Sequence, residues 1–267
     1  MRLKIGHLYP NQMNLYGDKG NVIALQKRAQ WHGLEAEVIP LCEGETFSVH
    51  DFDILFFGGG QDKEQKVIAK DLVEVKKNSI YDAVHAGVVV LAICGGYQLL
   101  GESFRISEND ILPGIGIFDA WTVAGSKRLI GNVVVQTDLM SQTLVGFENH
   151  SGQTFLRSSA QPLGRVVVGY GNNGEDSWEG CKVHQAYGTY LHGSLLPKNP
   201  DFTDYLLKQA LQRYTTTWEW QKLDNTLEDR AHAIAEKNSE TLQNKSYSSV
   251  KISGTALDEP KLMGYNT

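Results

Sequence analysis

Residues 88–101 of the chain read VVVLAICGGYQLLG, and this stretch decides the fold. Val88–Ile93 is a continuous apolar run rich in valine, which is typical of a parallel strand buried on both faces. Cys94 follows the run directly, and two glycines separate it from the apolar start of a helix. This order predicts a nucleophile elbow at the carboxyl end of an α/β sheet, where the helix N-terminus favours the thiolate. The alternative is a buried structural cysteine.

The segments before this elbow alternate between short apolar runs and longer amphipathic stretches. They predict three strands and two helices: strands Leu3–Tyr9, Ala36–Leu41 and Asp53–Phe57, and helices Gly20–Trp31 and Ile68–Ala86. The alternation predicts an α/β fold with a mostly parallel central sheet flanked by helices.

The second half contains shorter candidate strands and more turn signals. The predicted strands are Asn132–Thr137, Thr143–Glu148, Arg165–Tyr170, Ser177–Trp178, Cys181–Val183 and Tyr187–Leu191. Gly171–Gly174 has the composition of a hairpin turn. We therefore expect extra antiparallel strands here, followed by a helix over Phe202–Tyr214. Residues 1–215 are predicted to form one domain, 216–242 a charged helical extension and 243–267 a flexible tail.

Composition narrows the class of protein. The chain has 267 residues, 41% of them hydrophobic, and a formal net charge of −6. An acidic chain of this kind argues against nucleic-acid binding, which usually needs a basic face. There is no recognisable signal peptide, and the longest apolar run is too short to span a bilayer, so we expect a cytoplasmic protein. Three cysteines without a CxxC pair predict neither a disulfide framework nor a metal site.

Two further motifs accompany Cys94. Gly58-Gly59-Gly60 follows the third predicted strand and can direct backbone N–H groups at an anion or a carbonyl oxygen. A phosphate-binding loop is the competing interpretation, although the Gly-Lys-Ser/Thr ending of a P-loop is missing. His192 comes after the last predicted strand, where it could take a proton from Cys94. A single histidine is weak evidence alone; the three motifs together favour a cysteine hydrolase.

In this order the motifs resemble the class I, or triad-type, glutamine amidotransferases, which have a flavodoxin-like fold. The Cys-Gly-Gly-Tyr-Gln elbow is similar to that of their cobyric acid synthase-like branch, and within it to the glutaminase subunits of the GatD type, from lipid II isoglutaminyl synthases. The resemblance covers roughly residues 5 to 215. It is carried by His7–Pro10, Asn14–Asn21, Gly58–Asp62, Ile93–Gln98, Arg128–Asn132, Phe147–Gly152 and Tyr190–Gly193.

The resemblance implies a role for individual residues. Cys94 would be the nucleophile and His192 the base, with His150 as a rival base. Gly60 and Gly95 would stabilise the oxyanion through their N–H groups. Substrate glutamine would be bound by Arg128, Gln98 and Asn149. Gly193 and Ser194 follow His192 where the wider class has proline and glutamate, so a Cys–His dyad is expected, oriented by a backbone carbonyl.

The resemblance also implies a partner. This chain would release ammonia from glutamine without any cofactor of its own. A Mur ligase-like subunit, carrying ATP and magnesium, would then use the ammonia to amidate the D-glutamate α-carboxyl of lipid II. Three alternatives stay open: an amidotransferase like cobyric acid synthase acting on another carboxylate, a peptidase of the same fold, and a non-catalytic binding module.

Overall fold

A computed structural model describes residues 1–215 and 217–252, with side chains apart from 16 and 240–252. Its first sheet contains the strands β1 (Arg2–Leu8), β2 (Glu35–Leu41), β3 (Ile54–Phe57), β4 (Val89–Ile93), β11 (Cys181–Val183) and β12 (Ala186–Thr189). The strand order is β11-β12-β4-β3-β1-β2, and all neighbours except β11 and β12 run parallel. The predicted parallel α/β sheet is confirmed, and β4 lies near its centre.

The helices around this sheet are α1 (Lys19–Trp31), α2 (Asp62–Asp71), α3 (Lys77–His85), α4 (Gly95–Leu100) and α5 (Pro200–Gln212). A π-helical turn, Leu72–Lys76, joins α2 to α3. The predicted helix Ile68–Ala86 was therefore too short, because α2 begins six residues earlier. Its first turns are polar, so the apolar spacing that signals a helix appears only from Ile68 onward.

The second sheet holds strands of the second half. It contains β5 (Ser103–Ser107), β6 (Asp110–Pro113), β7 (Ala120–Thr137), β8 (Leu144–Leu156), β9 (Gly164–Val168) and β10 (Trp178–Glu179). These strands pair antiparallel except for β5 and β7. The long strands β7 and β8 pair antiparallel, and their register shifts between Ala124 and Leu129. β9 and β10 pair antiparallel around the predicted turn at Gly171–Gly174. Sequence patterns missed β5 and β6.

The C-terminal part forms a helix, α6 (Thr226–Ile252), which contacts β7, β8 and β9 of the second sheet. It begins ten residues after the start of the predicted extension 216–242 and continues ten residues beyond its end. Residues 253–267 of the predicted tail lie outside the described residues, so that prediction stays open. No helix in the described part of the chain is both long and apolar enough to cross a membrane.

Parallel strands bring their carboxyl ends to one edge of a sheet, and this places the predicted motifs together. Phe57 at the end of β3 pairs with Ala92 of β4, and Thr189 of β12 pairs with Ile93. The glycine loop, Cys94 and His192 each follow one of these three neighbouring strand ends. The edge of the sheet above β3, β4 and β12 is therefore the candidate site.

Candidate active site

Cys94 occupies a strained turn between β4 and α4. Its φ and ψ are 48° and −103°, a conformation that side-chain-bearing residues rarely adopt. The turn is held by hydrogen bonds from the Cys94 N–H to the Thr189 carbonyl (2.8 Å) and from the Gln98 N–H to the Cys94 carbonyl (2.9 Å). Cys94 remains 6% exposed. The turn thus holds the largely buried thiol at the edge of the sheet.

The two glycines after Cys94 are required by close backbone contacts. A Cβ atom on Gly96 would lie 2.6 Å from the Phe57 carbonyl oxygen, and one on Gly95 would lie 2.8 Å from the Gly60 carbonyl oxygen. Any larger residue would push α4 away from the glycine loop. The absence of side chains therefore lets the amino end of α4 pack directly on Gly58–Gly60.

The middle glycine of the loop marks the point where three functional side chains meet. A Cβ atom on Gly59 would lie 2.7 Å from His192 Cε1, 3.0 Å from Asp18 Oδ2 and 3.4 Å from Cys94 Cβ. The imidazole also interacts with the Cys94 thiol. Cys94 and His192, which are 98 positions apart in sequence, are therefore brought within proton-transfer reach.

Asp18 supplies the group that orients His192. Its Oδ1 lies 3.3 Å from His192 Nδ1, and both side chains are fully buried. Its Oδ2 accepts a hydrogen bond of 2.7 Å from the Gly59 N–H. The expectation of a backbone carbonyl in this position was wrong, because a carboxylate from the other end of the chain lies there. One side chain thus holds both the imidazole and the glycine loop.

The environment of His192 favours the imidazolium. Burial by itself would lower the pKa of His192, since it penalises the charged form. The negative charge of a Cys94 thiolate and the hydrogen bond that the ring donates to Asp18 act in the opposite direction and raise that pKa to about 10. A protonated His192 between the Cys94 sulfur and the Asp18 carboxyl group is the arrangement that a thiolate–imidazolium pair requires.

Contacts between the segment around Asp18 and the segment that follows His192 fix this arrangement. Ser194 Oγ donates to the Gly17 carbonyl (2.8 Å), and the Leu196 N–H donates to Asn21 Oδ1 (2.9 Å). A Cβ atom on Gly20 would lie 2.2 Å from Ser194 Oγ, so the His192 loop packs tightly on the start of α1. The Asn14–Asn21 motif therefore serves to carry Asp18 and to receive the His192 loop.

A cavity of about 240 Å³ opens beside Cys94. It is lined by the glycine loop, the first turns of α2, and residues of β7 and β8, and these include Gly60, Gln98, Arg128, Asn149 and His150. Arg128 lies in the irregular part of β7, and its Nε donates to Asn149 Oδ1 at 2.6 Å. The three predicted substrate-binding residues therefore share one cavity with Cys94, which has room for an amino acid.

Gln98 lies one helical turn below Cys94 and belongs to a buried chain of hydrogen bonds. Its Nε2 donates to Tyr190 Oη (3.1 Å), and its Oε1 accepts from Gln65 Nε2 (2.9 Å). Gln65 was not predicted as a site residue. Nothing in its local pattern distinguishes it from other polar residues of an amphipathic helix, whereas Cys94 stands out by its glycines.

His150, the rival base, lies on the other wall of the cavity. Its ring stacks on Tyr190 with centroids 3.6 Å apart, and its Nδ1 lies 2.6 Å from the Gly152 carbonyl oxygen. A carbonyl only accepts, so Nδ1 carries the proton. Its Nε2 lies 3.8 Å from the Glu148 carboxylate. The two histidines thus differ in surroundings, and His192 is the one that contacts Asp18.

Comparison with known proteins agrees with this geometry. A family model described as the CobB/CobQ-like glutamine amidotransferase domain matches residues 4–200. The chain is 40% identical to the GatD subunit of the glutamine-hydrolysing lipid II isoglutaminyl synthase of Staphylococcus aureus (strain N315), over 87% of the chain and 94% of that protein. It is also 40% identical to the subunit of the same name from Streptococcus pneumoniae, over 79% of the chain and 82% of that protein.

Solved structures support the fold alone, since their sequences are distant. PurLQS from Thermotoga maritima matches with a TM-score of 0.56 and 16% identity, over 80% of the chain and 100% of the matched chain. The glutaminase domain of a Trypanosoma brucei CTPS matches with a TM-score of 0.52 and 9% identity, over 82% of the chain and 96% of the matched chain. These similarities agree with the predicted flavodoxin-like class I fold.

Proposed function

Since the chain belongs to the CobB/CobQ-like glutamine amidotransferase family and is a glutamine-hydrolysing enzyme, we propose that it is the glutaminase subunit of a lipid II isoglutaminyl synthase. Its reaction would use Cys94 as nucleophile and His192 as base. The observation that carries the glutaminase part of this proposal is the meeting of Cys94, His192 and Asp18 around Gly59, beside a cavity of amino-acid size.

The chemistry begins with the ion pair. The Cys94 thiolate attacks the side-chain carboxamide carbon of glutamine, and the carbonyl oxygen becomes an oxyanion. When the tetrahedral intermediate collapses, His192 gives its proton to the leaving ammonia, and a thioester remains. His192 then takes a proton from water, which attacks the thioester and releases glutamate and the thiolate. Asp18 acts as a positioning residue that keeps the imidazole in its orientation.

Backbone N–H groups of Gly60 and Gly95 are the proposed donors to the oxyanion. A Cβ atom on Gly95 would lie 2.9 Å from the Gly60 nitrogen, which supports a shared position for the two groups. Gly95 is the first residue of α4, and an N–H there has no partner within its own helix. The helix N-terminus adds partial positive charge at the point where negative charge develops.

Arg128, Gln98 and Asn149 are the proposed substrate-binding residues. Arg128 carries a guanidinium that pairs well with a carboxylate, so we assign it to the α-carboxylate of glutamine. The hydrogen bond from its Nε to Asn149 supports a role for Asn149 in orienting Arg128, leaving the terminal nitrogens for the substrate. Gln98 would line the floor beside the aliphatic part of the substrate.

The ammonia acceptor is proposed from the named relatives. They are subunits of a lipid II isoglutaminyl synthase, which supports an ATP-dependent, Mur ligase-like partner that amidates the D-glutamate α-carboxyl of lipid II, in a heterodimer with this cytoplasmic chain. A dry path between the subunits would deliver the ammonia. The second candidate is amidation of another carboxylate, since probable cobyric acid synthases match 48% of the chain at 37% identity.

The first experiment tests the site. Cys94→Ser, His192→Gln and His150→Gln variants are assayed for release of ammonia from glutamine. We expect loss of activity of about 10³-fold or more for the first two, because nucleophile and base act as a unit. His150→Gln should stay active. Near-normal activity without His192 would contradict its role as base.

The second experiment tests the acceptor. The chain is purified with its native partner and given lipid II, ATP and glutamine. Amidated lipid II, detected by mass spectrometry, should require all three components and Cys94. Glutaminase activity without lipid II amidation by the native complex would refute the lipid II assignment and leave the glutaminase assignment intact.

A further inference from the structure

The first turns of α2 carry two acceptor groups that the proposed mechanism leaves unused. Asp62 and Gln65 both line the cavity beside Cys94. They are three positions apart on α2, so their side chains are neighbours on one face of that helix. Both groups therefore face the space that the substrate would occupy.

The hydrogen bonds of Gln65 have only one consistent direction. Its Nε2 lies 3.1 Å from the Gly60 carbonyl oxygen, which can only accept, so the amide nitrogen must face Gly60. The same nitrogen donates to Gln98 Oε1 (2.9 Å), and Gln98 Nε2 in turn donates to Tyr190 Oη (3.1 Å). The orientation of both amides is thereby determined.

The side-chain oxygen of Gln65 is the acceptor in this series of hydrogen bonds that lacks a donor. Gln65 is 2% exposed, and its Oε1 has no hydrogen-bond partner among the described residues. A buried amide oxygen left in this state costs free energy. Since the side chain lines the cavity, the missing N–H donor can come from the cavity's occupant.

Asp62 adds a negative charge to the cavity wall that carries Gln65. It is the one carboxylate among the described residues that line the cavity, where the cationic groups are Lys63 and Arg128. Gln61 is the N-cap of α2, so Asp62 is the first residue of the helix and does not cap it. No described residue forms an ion pair with it. A carboxylate beside an unsatisfied amide oxygen is suited to a substituted ammonium.

We propose that Asp62 and Gln65 form the binding site for the α-ammonium of glutamine, opposite Arg128, which takes the α-carboxylate. The inference rests on the proposed function. The connections within the cavity support it: Gln65 lines the same cavity as Cys94 and bonds to Gln98 on α4, and the α-carbon of glutamine is three bonds from its reacting carbon. The pair would select free glutamine over compounds without an α-amino group.

The experiment compares L-glutamine with glutaramate, which has the same carboxamide and carboxylate but no amino group. The native complex is assayed with both, as wild type, Asp62→Asn and Gln65→Met. We expect wild type to prefer glutamine, and each variant to reduce that preference in kcat/KM about tenfold or more, chiefly through KM. Activity on glutaramate should change by less than about threefold in Asp62→Asn. In Gln65→Met it should also fall, because methionine cannot donate the hydrogen bonds to Gly60 and Gln98.

Glu64→Gln is the matched control, because it removes one negative charge from the same turn at a residue that does not line the cavity. Its preference should equal that of wild type. Equal losses on both substrates in Asp62→Asn, or an unchanged preference, would overturn the ammonium site while leaving the glutaminase assignment standing. Failure of wild type to hydrolyse either compound would instead overturn the proposed function and this inference with it.

Discussion

At the scale of single residues, the site depends on where side chains are absent. Gly59 leaves room for His192, Asp18 and Cys94, and Gly95 and Gly96 leave room for the packing of α4 on the loop. Cys94 itself is held at a positive φ by its surroundings. The geometry of the proposed catalytic site is thus set by close backbone packing, which tolerates only very small changes.

Gly59→Ala tests this dependence. The added methyl group would lie 2.7 Å from His192 Cε1, so the imidazole must move away from Cys94. We expect kcat for glutamine to fall about 100-fold or more, since small displacements of reacting groups are costly. Steady-state kinetics measures it. Gly131→Ala is the control, because a Cβ atom there meets nothing within 4 Å. Equal activity in the two variants would contradict the packing argument.

Asp18→Asn tests the positioning of His192. The variant keeps the shape but removes a buried negative charge that helps to raise the pKa of His192. We expect that pKa to fall and kcat to drop about 10- to 100-fold, as for other groups that orient a functional histidine. An NMR titration of the His192 ring measures the first effect, which a purely structural defect would not produce.

Asp201→Asn, in the first turn of α5, provides the control for charge alone. The positioning role would be refuted if Asp18→Asn lost activity while the pKa of His192 stayed unchanged.

The sequence predicted Cys94, His192 and the glycine loop because each breaks a regular pattern at a strand end. Asp18 does not break a pattern. A polar residue just before a helix is common as a cap, so local propensity explains it completely. Its contact with His192, 174 positions away, depends on the order of the strands in the sheet. Only the assembled fold brings the two together.

At the scale of elements, the strands that are buried on both faces were predicted correctly, because their sequences are continuous apolar runs. The strands β1, β3 and β4 are almost fully buried, and their apolar runs identify them clearly. β5 and β6 were missed because both are short and largely exposed. β7 was predicted only from Asn132 onward, because Gly125-Ser126-Lys127 resembles a loop; the register shift in this region is what places Arg128 at the cavity.

The helix α6 is predicted to stabilise the second sheet. Ala235 packs on a small cluster of buried valines from β7, β8 and β9, and His232 donates through Nδ1 to the Lys198 carbonyl (2.9 Å). Ala235→Asp should lower the free energy of unfolding by about 1–3 kcal/mol, because it puts a charge against that cluster. Thermal unfolding measures this.

Ala233→Asp is the matched control on the exposed face of the same helix, and we expect a change within about 0.5 kcal/mol. If the two substitutions had equal effects, α6 would not be an integral part of the fold. The division of the chain at residue 215 would then be favoured as a real boundary.

At the scale of the whole molecule, both ends of the chain contribute to one site. Asp18 lies just before α1 and His192 in the segment before α5, so the site exists only when the parallel sheet is complete. Folding and catalysis are therefore linked through the same buried charges. The geometry of the site carries this link, whereas the lipid II acceptor rests on the relatives, because nothing in the described residues specifies a second substrate.

The raised pKa of His192 makes the free energy of unfolding depend on pH. The pKa of His192 is about 10 in the folded protein, against a reference value of 6.5. Because the folded state binds the proton more tightly, the stabilisation from this group is complete below pH 6.5, decreases above it, and is lost once the pH passes 10. We expect the difference in unfolding free energy between wild type and His192→Gln to decrease across that window. Urea unfolding at pH 6, 8 and 10 measures it, with the exposed His50→Gln as control. A difference that stayed constant from pH 6 to 10 would mean that His192 is not held as an imidazolium between Cys94 and Asp18.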